Sequence, residues 1–355
     1  MTTRTSKISS SKIKHSNDSK PIFNEAKKWL PGFLLCSVIA AAASFVSAQY
    51  GGPTFLYALL IGIAFHFLSD NHKCIPGIEM SAKKLVRIGV ALLGVRIAIS
   101  DVNAIGAAGV VALAGAVILT ISFSLLLARL LKLPSMLGIL SGGATGICGI
   151  SAAMAISSTL PQNRENEHYT LLTAIGVASF STVAMVLYPL VVTVLGLNTF
   201  EAGLFLGGSI HDVAQVVGAG FMVSSEVGDA ATLSKMFRVA MLMPVVVFFA
   251  FTFRSAREAG SDKAAAKQPL VPLFLVVFIL LVVINSIGLI PTEVVTFSSD
   301  LSKWCLVISI AALGVKTSFE KLSELGWKPI ILLMGNAVFI AAYMLAVVFM
   351  WRFIS

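Results

Sequence analysis

The chain has 355 residues, of which 57% are hydrophobic and only 12% charged, with a net charge of +9 and a mean hydropathy of +0.91. Soluble domains carry about twice that charge fraction, so these values exclude an ordinary soluble domain and predict an all-α polytopic membrane protein. The basic excess is not a nucleic-acid signature, because Lys and Arg cluster in the N-terminal tail and at the ends of apolar runs.

Residues 1–30 read as a polar, basic, disordered cytoplasmic tail, and residues 31–355 as one transmembrane domain. The apolar runs are about 20 residues long and do not alternate, which calls for helices rather than barrel strands. About eleven spans are predicted, at 31–48, 51–69, 85–100, 105–128, 136–158, 170–195, 199–223, 234–253, 269–290, 302–318 and 328–351. The triplet Val46-Ser47-Ala48 resembles a signal-peptidase site, but the preceding polar region is long for a signal peptide, so the first span is read as retained.

Orientation follows from alternate connections. Basic residues fill the tail and the connections holding Lys73, Lys83 and Lys84, Arg129 and Lys132, Arg254 to Lys267, and Lys321 and Lys328. The loops around Gly51 and Pro291 have none. The N-terminus is therefore expected in the cytoplasm and the C-terminus outside. Residues 254–268 read as a flexible cytoplasmic linker. The loop with Arg164, Glu165, Glu167 and His168 falls outside and reads as merely solvated. Cys36, Cys74, Cys148 and Cys305 are scattered and suggest neither a disulfide framework nor a metal site.

Ala91-Leu-Leu-Gly-Val-Arg96 echoes Ala311-Ala-Leu-Gly-Val-Lys316 at an offset of 220 residues. The first copy runs outward and the second inward, as in the inverted repeats of secondary transporters. The competing reading is chance recurrence of common membrane residues. Two spans look broken in the middle. The fifth carries Ser141-Gly142-Gly143-Ala144-Thr145-Gly146-Ile147-Cys148-Gly149, and the seventh Gly207-Gly208-Ser209 just before His211-Asp212. Glycine disfavours a continuous helix, and a half-helix starting at mid-depth would aim free amides at an anion. Close packing through small residues is the alternative for either span alone. As predicted, both broken spans run in the same direction, whereas inverted repeats would oppose them.

An ionisable pair at mid-depth costs several kcal/mol, on the order of 3 or more, unless it meets a cavity or partner. His211 and Asp212 are therefore expected to couple transport to protons. The competing role is a helix cap. Gln215 lies one turn from His211 and shares its face. The candidate substrate-binding set is Ser141, Gly142, Gly143, Thr145, Gly146, Cys148, Gly207, Gly208, Ser209 and Gln215. Ser141, Thr145 and Cys148 are expected on one helical face. Arg87 and Arg96 flank the third span and Lys316 ends the tenth. Arg96 and Lys316 are candidate counter-charges for an anion, with snorkelling as the competing reading. Lys235 and Arg238, at the outer end of the eighth span, are expected to guide anions there.

Thr145-Gly-Ile-Cys-Gly-Ile-Ser-Ala152 resembles a signature of the YeiH-type membrane proteins, usually labelled sulfate exporters. Gly207-Gly-Ser-Ile-His-Asp-Val-Ala-Gln-Val-Val217, Lys235-Met-Phe-Arg-Val239 and Lys84-Leu-Val-Arg-Ile-Gly-Val-Ala-Leu-Leu-Gly-Val-Arg96 fit the same family, and the likeness covers nearly everything beyond residue 30. It implies a multi-pass protein of the bacterial inner membrane that exports a small anion. More distantly, the pattern is similar to sodium/proton antiporters and bile-acid symporters, whose members have two crossing, broken helices. The expected partners are a small anionic substrate and the lipid bilayer, with no nucleic acid and homo-oligomer formation left open. No cofactor or metal is expected. An anion channel is the alternative. An intramembrane enzyme has less support, since the chain has neither an HExxH-like nor a Ser/His/Asp arrangement and no nucleotide-binding loop.

Overall fold

The computed structural model describes residues 21–97, 99–161, 164–253, 272–317 and 326–354, and these residues are helical with no strand among them. In chain order the helices are α1 (Pro21–Tyr50), α2 (Thr54–Ala64), α3 (Ile75–Met80), α4 (Val86–Leu93), α5 (Ile99–Leu130), α6 (Ser135–Gly146), α7 (Ile150–Ser157), α8 (Arg164–Val194), α9 (Thr199–Ser209), α10 (Val213–Val223), α11 (Ser225–Ala240), α12 (Leu242–Thr252), α13 (Leu273–Ser286), α14 (Thr292–Lys316) and α15 (Trp327–Ile354). A π turn at Ser81–Leu85 joins α3 to α4 without a break in direction. Six helical stretches are long and apolar enough to cross a membrane by length and composition: Lys28–Tyr50, Ile105–Leu130, Arg164–Val194, Ser225–Thr252, Thr292–Lys316 and Trp327–Phe353.

Among the described residues the predicted spans are largely helical, but several bounds move. Helix α1 starts at Pro21, ten residues before the predicted start. The third span begins at Ile75 and the eighth at Ser225, where Ser224 caps α11 by accepting from the Val227 amide at 3.2 Å. Both early turns are too polar for a hydropathy window to include. The 254–268 linker and Lys321 lie outside the described residues.

The helices form two layers. The first joins α1, α2, α3, α4, α13 and α14, and its backbones approach closely at glycines. Gly62 of α2 packs on Gly314 of α14, where a Cβ would lie 3.0 Å from the Gly314 Cα. Helices α4 and α14 run in opposite directions, with the Ser302 hydroxyl donating to the Gly89 carbonyl at 2.6 Å. The second layer joins α5 to α12 with α15. Stacked Phe123 and Phe339 (centroids 4.2 Å apart) hold α5 to α15, and the Tyr343 hydroxyl donates to the Ala112 carbonyl at 3.1 Å.

Two predicted spans turn back on themselves. A side chain at Gly143 of α6 would collide with Ile156 of α7. In a straight span these residues would stand about 20 Å apart, at 1.5 Å per residue. At the start of α8, Thr170 donates to the Ser157 hydroxyl at 2.8 Å. Tyr169 packs in one cluster with Ala128, Leu137 and Leu332, the ends of α5, α6 and α15 at the face that bears Arg129 and Lys132. So α6 and α7 form a hairpin that enters from this basic face and returns to it. Helix α8 then rises past Gly149, which sits beside Val177, past Ser181, which meets Asp212, and on to Tyr188, which meets Phe205.

The second hairpin enters from the opposite face. Arg352, at the far end of α15, grips Glu201 near the start of α9 with two bonds of 2.7 Å. Helix α9 runs beside α11 in the same direction, Gly203 meeting Ala230 and Gly207 meeting Ser234. Helix α10 then returns, its Gly220 packing on Gly228 near the start of α11. This corrects two expectations. The broken segments do not run parallel, and Arg164, Glu165, Glu167 and His168 begin α8 on the basic face, not the other. The charge count missed both points because a hairpin uses up a hydrophobic span without changing faces.

Candidate functional site

The two hairpin tips meet in the interior. The first tip is the turn Ile147-Cys148-Gly149, where Gly149 has φ +69°. The second is Ile210-His211-Asp212, extended at both Ile210 and Asp212. A Cβ at Gly149 would lie 3.5 Å from the Asp212 Cβ, so the tips are in contact. A helix that stops inside a protein leaves its last carbonyls and first amides without intrahelical partners. Four such ends converge here.

The carbonyl ends of α6 and α9 are satisfied by two cations from α11. Arg238 donates to the carbonyls of Thr145 (2.7 Å), Gly146 (2.8 Å), Gly207 (2.9 Å) and Ile210 (2.9 Å), reaching both hairpins with one guanidinium. Lys235 donates to the carbonyls of Ile210 (2.8 Å) and His211 (2.6 Å). Both side chains are 0% exposed. Helix C-termini carry partial negative charge, so cations there are favoured electrostatically as well. Lys235 and Arg238 thus sit well inside α11, not at the outer end of a span, and their donors are turned to backbone.

The amide ends of α7 and α10 are treated unequally. Asp212 is the N-cap of α10, accepting from the Ala214 amide at 3.1 Å, while its own amide donates to the Ser181 hydroxyl at 3.1 Å. Of the pair, Asp212 and not His211 fills the capping role. Helix α7 has no side-chain cap. Its Ser151 is exposed, and Asp212 is half-buried although it lies at the tip.

Several buried polar groups here have no hydrogen-bond partner. They are the Thr145 hydroxyl and the Gln215 Oε1, while the His211 ring lies against the backbone of Ser209 and Thr145. Each of these residues is at most 3% exposed. The Thr120 hydroxyl, also unpartnered and buried, flanks Gly146 on the α5 side. Buried polar groups are rarely left unpaired, so this set marks the tips as a place for a polar occupant.

Other predicted site residues lie elsewhere or do other work. Ser141 shares a hydrogen bond of 2.9 Å with Ser124 of α5 and accepts from Asn336 of α15 at 3.3 Å, which ties the hairpin arm to its neighbours. Gly142 packs on Ile121 and Ser124, Gly207 on α11 and Gly208 on Met344. The helix breaks therefore fall after the glycine pairs, which serve close packing. Ser209 turns its hydroxyl to the Phe205 carbonyl at 2.6 Å. Cys148 is buried in the turn, beyond the helical face expected to hold it with Ser141 and Thr145.

Arg96 and Lys316 are not at the tips. Arg96 pairs with Asp229 of α11 at 3.0 Å, joining the two layers at the opposite face. Lys316 lies 3.5 Å from Glu79 at the basic face. At the opposite face α10 also packs on α2 and α14, with Phe55 stacked on Phe221 at 5.5 Å. Helices α6 and α7 instead pack mainly on α5, α8, α12 and α15. Among the described residues, the hairpin from the opposite face closes against the first layer more firmly than the other.

The family model described as "Conserved hypothetical protein 698" matches residues 31–333. The chain is similar to a UPF0324 membrane protein of Chlorobaculum tepidum, 46% identical over 319 residues, covering 90% of this chain and 88% of that protein. A UPF0324 membrane protein of Rhizobium meliloti is 45% identical, covering 89% of this chain and 91% of its own length. The UPF0324 membrane protein TauZ of Paracoccus denitrificans is 43% identical, covering 88% and 93% respectively. With matches of this length and identity, the chain belongs to the UPF0324 family of membrane proteins.

Proposed function

We propose that this protein is a secondary transporter that exports a small anion of the sulfur oxyanion or sulfonate class, coupled to protons through Asp212 and His211. One observation carries the reading. Two re-entrant hairpins from opposite faces meet tip to tip, with unpartnered buried polar groups around the junction. Non-helical backbone at membrane depth is tolerated where it is buried in protein or lines a cavity. Transporters place substrate at such discontinuous helices, near the midplane. Lys235 and Arg238 neutralise the carbonyl ends, which leaves the amide ends and the carboxylate of Asp212 as the electrostatic poles of the site.

In this reading nine helical units cross the bilayer and two hairpins enter it halfway. The basic face is cytoplasmic. The substrate reaches the tips from that face, beside α7, while Arg96–Asp229 and Phe55–Phe221 close the other. Release outside requires that second closure to open and the first hairpin to close on α2 and α4. The opposed directions of α4 and α14 support an inverted repeat as the source of the two states.

The test is flux into and out of proteoliposomes holding purified protein, with sulfate, thiosulfate and 2-hydroxyethanesulfonate each as the solute. A carrier gives saturable flux that follows an imposed pH gradient. Single-channel currents would move the assignment to an anion channel. Flux equal to that of empty liposomes for all three would reject the anion reading.

A further inference from the structure

One cation near the hairpin tips has no structural task. Arg87 lies on α4, twelve residues after the start of α3, which is about 18 Å along the helix at 1.5 Å per residue. Its depth has an independent marker. Gly89, two residues on, accepts from Ser302, which is ten residues into α14. Arg87 is therefore in the middle of its crossing and not at its margin, where the shorter predicted span had put it. Its side chain is exposed, and it makes no ion pair or hydrogen bond among the described residues.

An unpaired arginine at such depth is costly unless it faces water or a ligand. The surroundings identify what it faces. Arg87 acts electrostatically on the Asp212 carboxylate, which brings the hairpin tips within its reach from mid-depth on α4. The other cation acting on Asp212 is Lys235, and both it and Arg238 beside it on α11 are committed to backbone carbonyls. On the tip side stand the uncapped start of α7 and the unpartnered Gln215 of α10, which is 3% exposed.

Resting on the carrier reading above, we propose that Arg87 is the anion-recognising residue of this site. It holds the oxyanion head of the substrate against the first-turn amides of α7. A guanidinium presents paired donors that match a sulfonate or sulfate edge, and it stays charged at every working pH. The arrangement links the two layers through the ligand, because Arg87 belongs to one and the hairpins to the other. An anion bound there draws the first hairpin toward α4, the movement needed to close the basic face.

The measurement is thermal stabilisation of the purified full chain, in detergent and in nanodiscs, by sulfate, thiosulfate and 2-hydroxyethanesulfonate. Four proteins are compared: wild type, Arg87→Gln, Arg87→Lys and Lys83→Gln, the last removing an exposed charge one turn away. The expected result is stabilisation of wild type by at least one of the three. Half-saturation should rise at least tenfold in Arg87→Gln, recover in part in Arg87→Lys and stay put in Lys83→Gln. Without anion, Arg87→Gln should melt like wild type, since it loses no bond. An Arg87→Gln protein that binds at wild-type concentrations overturns the assignment and leaves the carrier reading standing. No stabilisation of wild type by any of the three overturns both.

Discussion

At the scale of single residues, the decisive group is Arg238. Its guanidinium donates to four carbonyls in two hairpins, a task no other side chain can perform from one position. Ile210 would keep Lys235, but a buried acceptor left unpaired costs about 1–3 kcal/mol, so losing the bonds to Thr145, Gly146 and Gly207 approaches the about 5–15 kcal/mol that stabilises a typical domain. Arg238→Met should therefore fail to give a monodisperse peak in size-exclusion chromatography. Arg238→Lys should do little better, because one ammonium cannot span both tips. Asp212 is the opposite case. Asn caps helices about as well as Asp, so Asp212→Asn should fold and melt within a few degrees of wild type. In proteoliposomes it should lose accumulation driven by a pH gradient and keep exchange of substrate for substrate. An unchanged pH profile, normalised to folded protein, would remove Asp212 from the coupling role.

The hairpin is the unit that matters at the scale of elements. It returns on itself because three residues, Ile147 to Gly149, leave the helix, with Gly149 at φ +69° and ψ −131°. Such backbone costs a residue with a side chain about 1–3 kcal/mol. Space is not the obstacle, as the nearest atom to an added Cβ is 3.5 Å away. Gly149→Ala should thus lower the melting temperature through strain alone. A second experiment tests the turn itself. Gly143→Ala should press on the Ile156 Cδ1 methyl, and Ile156→Val in the same chain, which removes that methyl, should relieve the contact, giving a non-additive cycle on melting temperature. Additive effects would mean that the two residues are far apart, as they would be in a straight span.

For the whole molecule, the hairpins change which loops lie on which side. Glu167, near the start of α8, should be on the face of Arg129 and Lys132, and Asn198, before α9, on the other. In a cysteine-free background, an impermeant thiol reagent added to intact cells should label Asn198→Cys and spare Glu167→Cys. Eleven straight spans predict the reverse. The ion pair between Arg96 and Asp229 is the natural place to shift the balance between the two closures. Breaking it with Arg96→Gln should raise the reactivity of a cysteine at Gln215 toward the same reagent from outside. An ion pair at a surface contributes only about 0–1 kcal/mol, and even for this partly buried pair the loss is enough to move a closely balanced equilibrium without unfolding the protein.

Composition and hydrophobic run length by themselves determined the class and the helical segments, because burial in lipid demands about 20 apolar residues wherever a helix crosses, and the glycine-rich stretches marked the two interruptions. The pair His211-Asp212 was legible for the same reason, as charge in an apolar run is conspicuous. The tertiary structure alone decided the direction of each interrupted stretch. A straight span and a hairpin have the same hydropathy, and contacts far apart in sequence separate them, such as Gly143 with Ile156 in the first and Gly220 with Gly228 in the second. It also decided what the cations do. Lys235 and Arg238 looked like flanking charges because the polar first turns of α11 were cut from the predicted span, and Arg87 looked marginal because α3 was cut likewise. Which backbone carbonyls need a donor at mid-depth is a property of where helices end in space, and no pattern along the chain records it.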